Sequence, residues 1–180
     1  MFHRILGKII AAFVNDFANA KGDEDVDAKL VNPFIDAFMA VMPQLGFPIP
    51  RRTKVYLQDK STVSRGVTVA VNFTRQMRGN VVYNMTEDTA KFIASTMMMG
   101  MPVIEFDEMA QSAIAEMSNM LTASAATSFA NLGLDVDISP PNLKRGSGLS
   151  VEIANPQCLA VEMDLGGHRV DIAISVEKNI

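Results

Sequence analysis

The stretch 107–133, DEMAQSAIAEMSNMLTASAATSFANLG, predicts one long helix that is central to the fold. Asp107 is a residue type that caps helix N-termini, Glu108 complements the positive end of the helix dipole, and Gly133 allows a left-handed exit. Apolar residues recur at helical spacing, which predicts a buried face. They are Met109, Ala110, Ala113, Ile114, Met117, Leu121 and Ala125.

The opposite face of this helix carries a second row, at steps of four, three and four residues: Ser112, Glu116, Asn119 and Ala123. Side chains three or four residues apart share a helix face, so Glu116 and Asn119 project together. The residues around them are small: Ala115, Ser118, Thr122, Ala126 and Thr127. Two interpretations stay open. Either the small residues pack tightly against another helix and the polar pair is incidental, or this face receives another macromolecule.

The charge pattern around this helix is unusual. A solvated helix face is normally lined with lysine, glutamate and glutamine. Here Lys91 is the only basic residue between Arg78 and Lys144. Over all 180 residues the formal charge is −4, which gives no support to nucleic-acid binding, because that function usually shows a clustered basic excess.

The first half of the chain repeats the plan of a long helix followed by proline breaks. A helix is predicted over about 27–45, with Gly46 at its end and Pro48 after it. Pro33 lies inside this range, so either Asn32 caps a fresh start or the helix bends there. A shorter connecting helix should begin after Thr86, which can cap it, and run to Gly100.

Valine-rich and aromatic runs predict three strands in each half. They cover 53–58, 67–73 and 80–85 in the first half, and 149–153, 157–164 and 168–176 in the second. Turns are expected at 59–66 and 74–79, a Gly/Ser loop after Pro141, and a tight hairpin at 165–167. The two halves repeat at a spacing of about ninety residues.

This order predicts an α+β fold built from two pseudo-symmetric helix-plus-three-strand halves, with the long helices packed on a mostly antiparallel sheet. Residues 26–180 form one domain of ordinary size. Residues 1–25 are predicted to be an N-terminal amphipathic helix appendage, with apolar residues at helical spacing. That helix packs on the domain or a second subunit, or it binds a membrane surface or a partner's groove.

The sequence has too few cysteines and histidines for several common kinds of site. Cys158 is the single cysteine, so no disulfide or cysteine metal site forms within one chain, and its strand-like surroundings predict a buried thiol. His3 and His168 are the only histidines, which disfavours a histidine metal site or a Ser-His-Asp triad. The sequence contains no run of about 18 apolar residues, which is the length that a membrane span requires, so we expect a cytoplasmic protein.

A methionine cluster follows the connecting helix. It comprises Met97, Met98, Met99 and Met101. Methionine repacks easily, so these residues form either core filler or an adaptable binding surface.

The segment Glu116-Met117-Ser118-Asn119, preceded by Ser112 and followed by Asp-Ile-Ser-Pro-Pro at 137–141, resembles the signature of the CheX/CheC/FliY chemotaxis phosphatases. The layout over 27–180 is similar to that of CheX, including the helix near 29–46 and the run at 96–100. Ser124 departs from the glycine that relatives commonly have there.

The repeat alignment places Lys29 opposite Glu116 and Asn32 opposite Asn119. The first half therefore lacks the glutamate, and the resemblance is to CheX-like members with one Glu/Asn pair per chain. Such members form homodimers, so a homodimer is implied here.

The resemblance implies a hydrolase that removes the aspartyl phosphate from a CheY-type receiver protein. Asn119 would orient the attacking water and Glu116 would dock the receiver, with Ser112, Ala115 and Ala123 contacting that partner. Mg²⁺ is expected on the receiver, and no cofactor or metal on this chain. The alternative is a non-catalytic adaptor that recognises a response regulator or a flagellar-switch component.

Overall fold

The computed structural model describes residues 28–58, 61–154 and 158–179. The predicted N-terminal helix over 1–25 lies outside these residues. The helices are α1 (Ala28–Gln44), α2 (Glu87–Met97) and α3 (Glu108–Asn131). The strands are β1 (Arg51–Gln58), β2 (Ser61–Arg75), β3 (Met77–Met85), β4 (Val136–Ile138), β5 (Asn142–Glu152), β6 (Cys158–Leu165) and β7 (His168–Lys178).

All strands join one seven-stranded sheet, in the order β1-β6-β7-β3-β2, with β2 paired on its outer side by both β5 and β4. Each pair is antiparallel. At the centre of the sheet Val82 of β3 lies opposite Ala173 of β7.

A pseudo-twofold axis passes through this central pair. On either side β3 is followed by β2 and β5, and β7 by β6 and β1. Each half thus adds its first long strand to the far edge of the other half. The predicted α+β class, the two symmetric halves and the antiparallel sheet are confirmed.

The long helices α1 and α3 pack against each other on one face of the sheet, over the main core. Phe34 of α1 meets Phe73 of β2 edge-on, with ring centroids 5.2 Å apart, and Phe129 of α3 at 5.5 Å. A fully buried ring of this size contributes about 1.5–3 kcal/mol through removal from water. This aromatic junction joins both helices to the sheet.

The predicted helix ends are largely confirmed. Thr86 accepts a hydrogen bond from the Thr89 amide (3.2 Å), and Asp107 accepts one from the Ala110 amide (2.9 Å). Gly133 has φ +78° directly after the C-cap of α3. The proposal that Asn32 caps a fresh start is wrong, since α1 begins at Ala28 and runs through Pro33. The connecting helix ends at Met97 rather than at Gly100.

Three predicted loops are strand instead. The 59–66 turn is wrong from Ser61 onward, the 74–79 turn contracts to Gln76, and the Gly/Ser loop is most of β5. β5 lacks the valine-rich signal because its side chains are mostly exposed, and backbone pairing holds it. The start of β2 lacks that signal because its buried positions are occupied by Thr62, Ser64 and Gly66. Strand β4 was not predicted. The tight hairpin is confirmed, with Gly166 and Gly167 both at positive φ.

The ends of β2 and β5 also cover the second face of the sheet. Val151 and Ile153 pack there on Val82, Cys158 and Ala173, which confirms the buried thiol in a strand. Two buried asparagines of β3 hold this cover by bonding the backbone on each side of it. The Asn84 amide donates to Val63 O and accepts from the Arg65 backbone N–H, both at 2.9 Å. The Asn80 amide donates to Glu152 O (3.2 Å) and accepts from the Ala154 backbone N–H (3.1 Å).

Candidate functional site

The outward face of α3 carries the predicted site residues together. Ser112, Glu116 and Ala123 are exposed, and Ala115 and Asn119 are half-buried. Glu116 and Asn119 lie three residues apart on a continuous helix, so their β-carbons are about 5–6 Å apart and point the same way. Within the described residues, Ser112, Glu116 and Ala123 are not covered by another helix, whereas two of the small residues assigned to this face, Ser118 and Thr122, are buried.

The inward face of α3 fixes this surface in place. It is fully buried in the main core through Ala110, Ile114, Met117, Ser118, Leu121, Thr122, Ala125 and Phe129. Placing Ser118 and Thr122 beside the polar pair on the outer face was wrong. Their hydroxyls donate to Ala115 O (2.8 Å) and Ser118 O (2.7 Å), so the helix's own carbonyls satisfy them and they can face the core.

The side chains of Glu116 and Asn119 are uncommitted. Within the described part of the chain, neither makes a side-chain hydrogen bond or an ion pair. Asn119 engages only its backbone carbonyl, which accepts a bond from the Thr122 hydroxyl at 3.2 Å. One carboxylate and one carboxamide are therefore available to an incoming partner without breaking internal contacts.

The surface leading to this pair is acidic. Glu105, Asp107 and Glu108 are exposed just before it, and the sequence places no lysine or arginine between Lys91 and Lys144. Those carboxylates and Glu116 thus present negative charge to any approaching molecule. A positively charged partner is favoured on electrostatic grounds.

The two cations that border α3 are already paired. Lys91 lies 3.1 Å from Glu87, and the Arg145 guanidinium lies 3.0 Å from the same carboxylate. The hydrogen bond from Arg145, then that from Lys91, holds the pKa of Glu87 below its usual value. The Arg145 guanidinium also lies over the Phe106 ring, 5.9 Å from its centroid. Both cations also line one cavity with Glu105, Asp107 and Glu108 and so offset part of that negative charge, whereas Glu116 does not line that cavity.

A shallow cleft of 370 Å³ lies between α3 and β5 beside the pair. Its lining residues are Glu108, Gln111, Ser112, Ala115 and Leu143. Ser112 and Ala115 contribute only a hydroxymethyl and a methyl group here, so a second backbone can approach α3 closely. This surface suits a protein partner better than a small molecule, since small-molecule sites are usually enclosed and apolar.

Met109 belongs to this outward face, and its assignment to the buried stripe was wrong. It is 60% exposed and precedes Ser112 by three residues. The steps of three and four residues from Met109 to Ser112 and Glu116 place Met109 on the outward face, although its apolar side chain suggests burial.

The methionine cluster divides between the two interpretations. Met97 and Met98 pack partly against the core, whereas Met99 and Met101 are exposed.

The described residues include no group of three or more His, Cys, Asp or Glu able to hold a metal. None of the described helices is long and apolar enough to cross a membrane.

Comparisons with known proteins identify relatives of this chain. Residues 67–164 match the model of the family "Chemotaxis phosphatase CheX". A curated relative, the CheY-P phosphatase CheX of Thermotoga maritima, is 30% identical over 128 residues, which cover 71% of this chain and 82% of that protein.

Solved structures share the fold. A chemotaxis protein CheX from Desulfovibrio desulfuricans superposes with a TM-score of 0.74 at 16% identity, covering 82% of this chain and 99% of that one. A chain of the CheX–CheY–BeF3–Mg²⁺ complex from Borrelia burgdorferi has a TM-score of 0.68 at 22% identity, covering 82% and 97%.

Proposed function

Since this chain belongs to the chemotaxis phosphatase CheX family, we propose that it hydrolyses the aspartyl phosphate of a CheY-type response regulator. The observation that carries the proposal is the uncommitted Glu116/Asn119 pair on the outward face of α3. The Thermotoga maritima relative is named a CheY-P phosphatase, and the Borrelia burgdorferi chain occurs in a complex with CheY. We expect the protein to act in the cytoplasm as a homodimer.

Asn119 is the proposed catalytic residue. Its amide oxygen can accept a hydrogen bond from a water molecule, and its amide nitrogen can donate one to the phosphoryl group. The water oxygen then forms a bond to phosphorus while the bond to the receiver's carboxylate breaks, releasing inorganic phosphate and a free aspartate. An acyl phosphate is already activated, so positioning the water is the main task, and a neutral side chain does not repel the phosphoryl group.

Glu116 is the proposed docking residue. Its carboxylate would pair with a lysine at the receiver's phosphorylation site, and such a pair contributes specificity when solvent is excluded. Ser112, Ala115 and Ala123 would let the receiver approach the α3 backbone. Mg²⁺ would be held by the receiver, and this chain would bind no cofactor.

The test is the decay of a phosphorylated CheY-type receiver from the same cell, with wild-type protein and Asn119→Ala side by side. We expect wild type to accelerate decay and Asn119→Ala to lose about 10²-fold in rate or more while still binding the receiver, because orientation of the water is lost. Glu116→Ala should weaken both binding and turnover.

Asn131→Ala is the matched control, because Asn131 is an exposed asparagine at the far end of the same helix. It should turn over like wild type. Full activity of Asn119→Ala would exclude the assigned role. Receiver binding without any acceleration by wild type would instead favour the adaptor function.

A further inference from the structure

An exposed apolar surface lies at the start of α3. Its members lie in the loop between α2 and α3 and on the first turn of α3, and three of them, Met101, Ile104 and Met109, line one groove. We define the methionine patch as Met99, Met101, Ile104 and Met109, which are 97, 55, 86 and 60% exposed, respectively.

The loop that presents this patch begins at the C-terminal cap of α2. Met99 has φ +60°, a left-handed backbone that costs a residue with a side chain about 1 kcal/mol or more, and Gly100 follows at φ +85°. The result is a methionine side chain placed almost wholly in solvent. This backbone closes the C-terminal cap of α2, because the Met99 amide donates to Thr96 O (3.1 Å) and the Gly100 amide donates to Ser95 O (2.8 Å). Glycine or asparagine is usual at this cap position. The exposed apolar side chain, rather than the backbone, is therefore the feature that points to a binding role.

The patch is continuous with the outward face of α3. Met101, Ile104 and Met109 line one groove of 390 Å³, together with Met98 and Val103. Met109 then leads along the helix to Ser112 and Glu116, and a rise of 1.5 Å per residue places Glu116 about 10 Å further on. A molecule docked on Glu116 and Asn119 would therefore reach the patch.

The area requirement of a complex also points to this extension. A stable protein interface buries about 800 Å² on each partner, and its energy is concentrated in large side chains. The face around Glu116 and Asn119 offers mainly alanine and serine, which supply little apolar area. The methionine patch supplies the missing apolar anchors, and methionine adapts its shape to a partner surface.

We propose that the methionine patch is a second docking surface for the receiver whose phosphate is hydrolysed at Asn119. This inference rests on the proposed function and identifies where the affinity for that partner arises. Glu105 and Asp107 line the same groove as the patch, and Glu108 lines the cleft beside Ser112, so these carboxylates favour a receiver surface that is apolar with a basic border. The patch contacts the receiver outside its phosphorylation site, so it contributes binding rather than chemistry.

The test uses the full-length variants Met101→Glu and Ile104→Glu, with Val63→Glu as the matched control. Val63 is 60% exposed on β2 but lies on the cover of the other sheet face. In phosphoreceiver turnover we expect KM to rise about 10-fold or more for both patch variants, since each removes an apolar anchor, with kcat within about twofold. Val63→Glu should change neither parameter.

Binding of the BeF3-activated receiver, measured by calorimetry, separates this inference from the proposed function. If wild type binds but does not turn over the receiver, the phosphatase assignment fails, and weaker binding by the patch variants still supports the docking surface.

Unchanged affinity of both folded patch variants overturns the inference. It is equally overturned if sedimentation shows that the patch variants dissociate an oligomer. The same holds if the receiver binds through the patch only after residues 1–25 have been removed. In those cases a second copy or the N-terminal segment is the occupant.

Discussion

Helices α1 and α3 occupy corresponding places in the two halves, yet the chain uses them differently. Among its described side chains, α1 exposes only a narrow row, and the rest pack against the sheet and α3. That row consists of Lys29, Asp36, Ala40 and Gln44. Helix α3 instead buries one face and presents the other, with Glu116 and Asn119 at its middle. The pseudo-twofold axis therefore relates two helices, of which α3 alone presents the proposed Glu116/Asn119 pair.

The corresponding positions show how the asymmetry arises. Lys29 stands where the second half has Glu116, and its positive charge cannot pair with a lysine of a partner. Asn32 corresponds to Asn119 and is likewise half-buried, but its amide oxygen is enclosed without a hydrogen-bond partner. Backbone pairing sets the symmetry of the sheet, whereas side-chain identity and exposure determine where chemistry can occur.

The largest expected effect separates the two helices by stability. Phe34→Ala in α1 should lower the free energy of unfolding by about 3–5 kcal/mol, because it leaves a cavity where three aromatic rings meet. Met120→Ala on the outward side of α3 is the matched change and should cost about 0.5 kcal/mol or less. Denaturant unfolding of both variants measures the difference, and equal losses would abolish the contrast between a buried and a presented helix.

The second prediction separates the helices by function. Asn32→Ala should turn over phosphorylated receiver as wild type does, whereas Asn119→Ala should lose about 10²-fold. The physical reason is that the Asn32 amide is partly enclosed and has no carboxylate three residues before it. Initial rates on the folded variants provide the comparison. A comparable loss in Asn32→Ala would mean that the first half carries a site as well.

The smallest effect concerns the central strands beneath the helices. Tyr83 of β3 is fully buried, and its hydroxyl has no hydrogen-bond partner among the described residues, whereas β7 carries Ile174 at the corresponding place. Because the buried hydroxyl is desolvated without compensation, Tyr83→Phe should leave stability unchanged or raise it by about 1 kcal/mol.

The same substitution should change the pH dependence of stability. Burial raises the pKa of Tyr83 above its usual 10.0. Above pH 10 the unfolded chain loses this proton while the folded chain retains it, so wild type should lose stability relative to Tyr83→Phe as the pH rises further. Thermal unfolding at pH 8 and pH 10.5 measures this divergence. Parallel behaviour of the two proteins would show that the hydroxyl reaches solvent or a partner.

The sequence predicted those parts of the fold whose residue type reports burial. The periodicity of α3, its Asp107 cap and the Gly133 exit reveal a helix with one buried face, and the repeat around ninety residues reveals the paired halves. β4 and most of β5 were not predicted as strands, because edge strands are held by backbone hydrogen bonds and their polar side chains resemble those of a loop.

The site was predictable from spacing where a helix relates the residues, and not where a loop does. Glu116 and Asn119 share a face through helix geometry alone. The approach of Met101 and Ile104 to Met109 depends on the path of the chain between α2 and α3, which no periodicity encodes. Ser118 and Thr122 were misplaced because their polarity suggests exposure, while their helix satisfies them internally.

The exchange of strands between halves has a consequence for how the chain acquires its structure. Among the described strands, β1 pairs only with β6, and β5 only with β2, so neither half can complete its hydrogen bonds before the other is synthesised. Contacts this distant in sequence slow folding and couple the two halves into one cooperative step. Local unfolding of α3, which carries the proposed site, should therefore also weaken the first half of the chain.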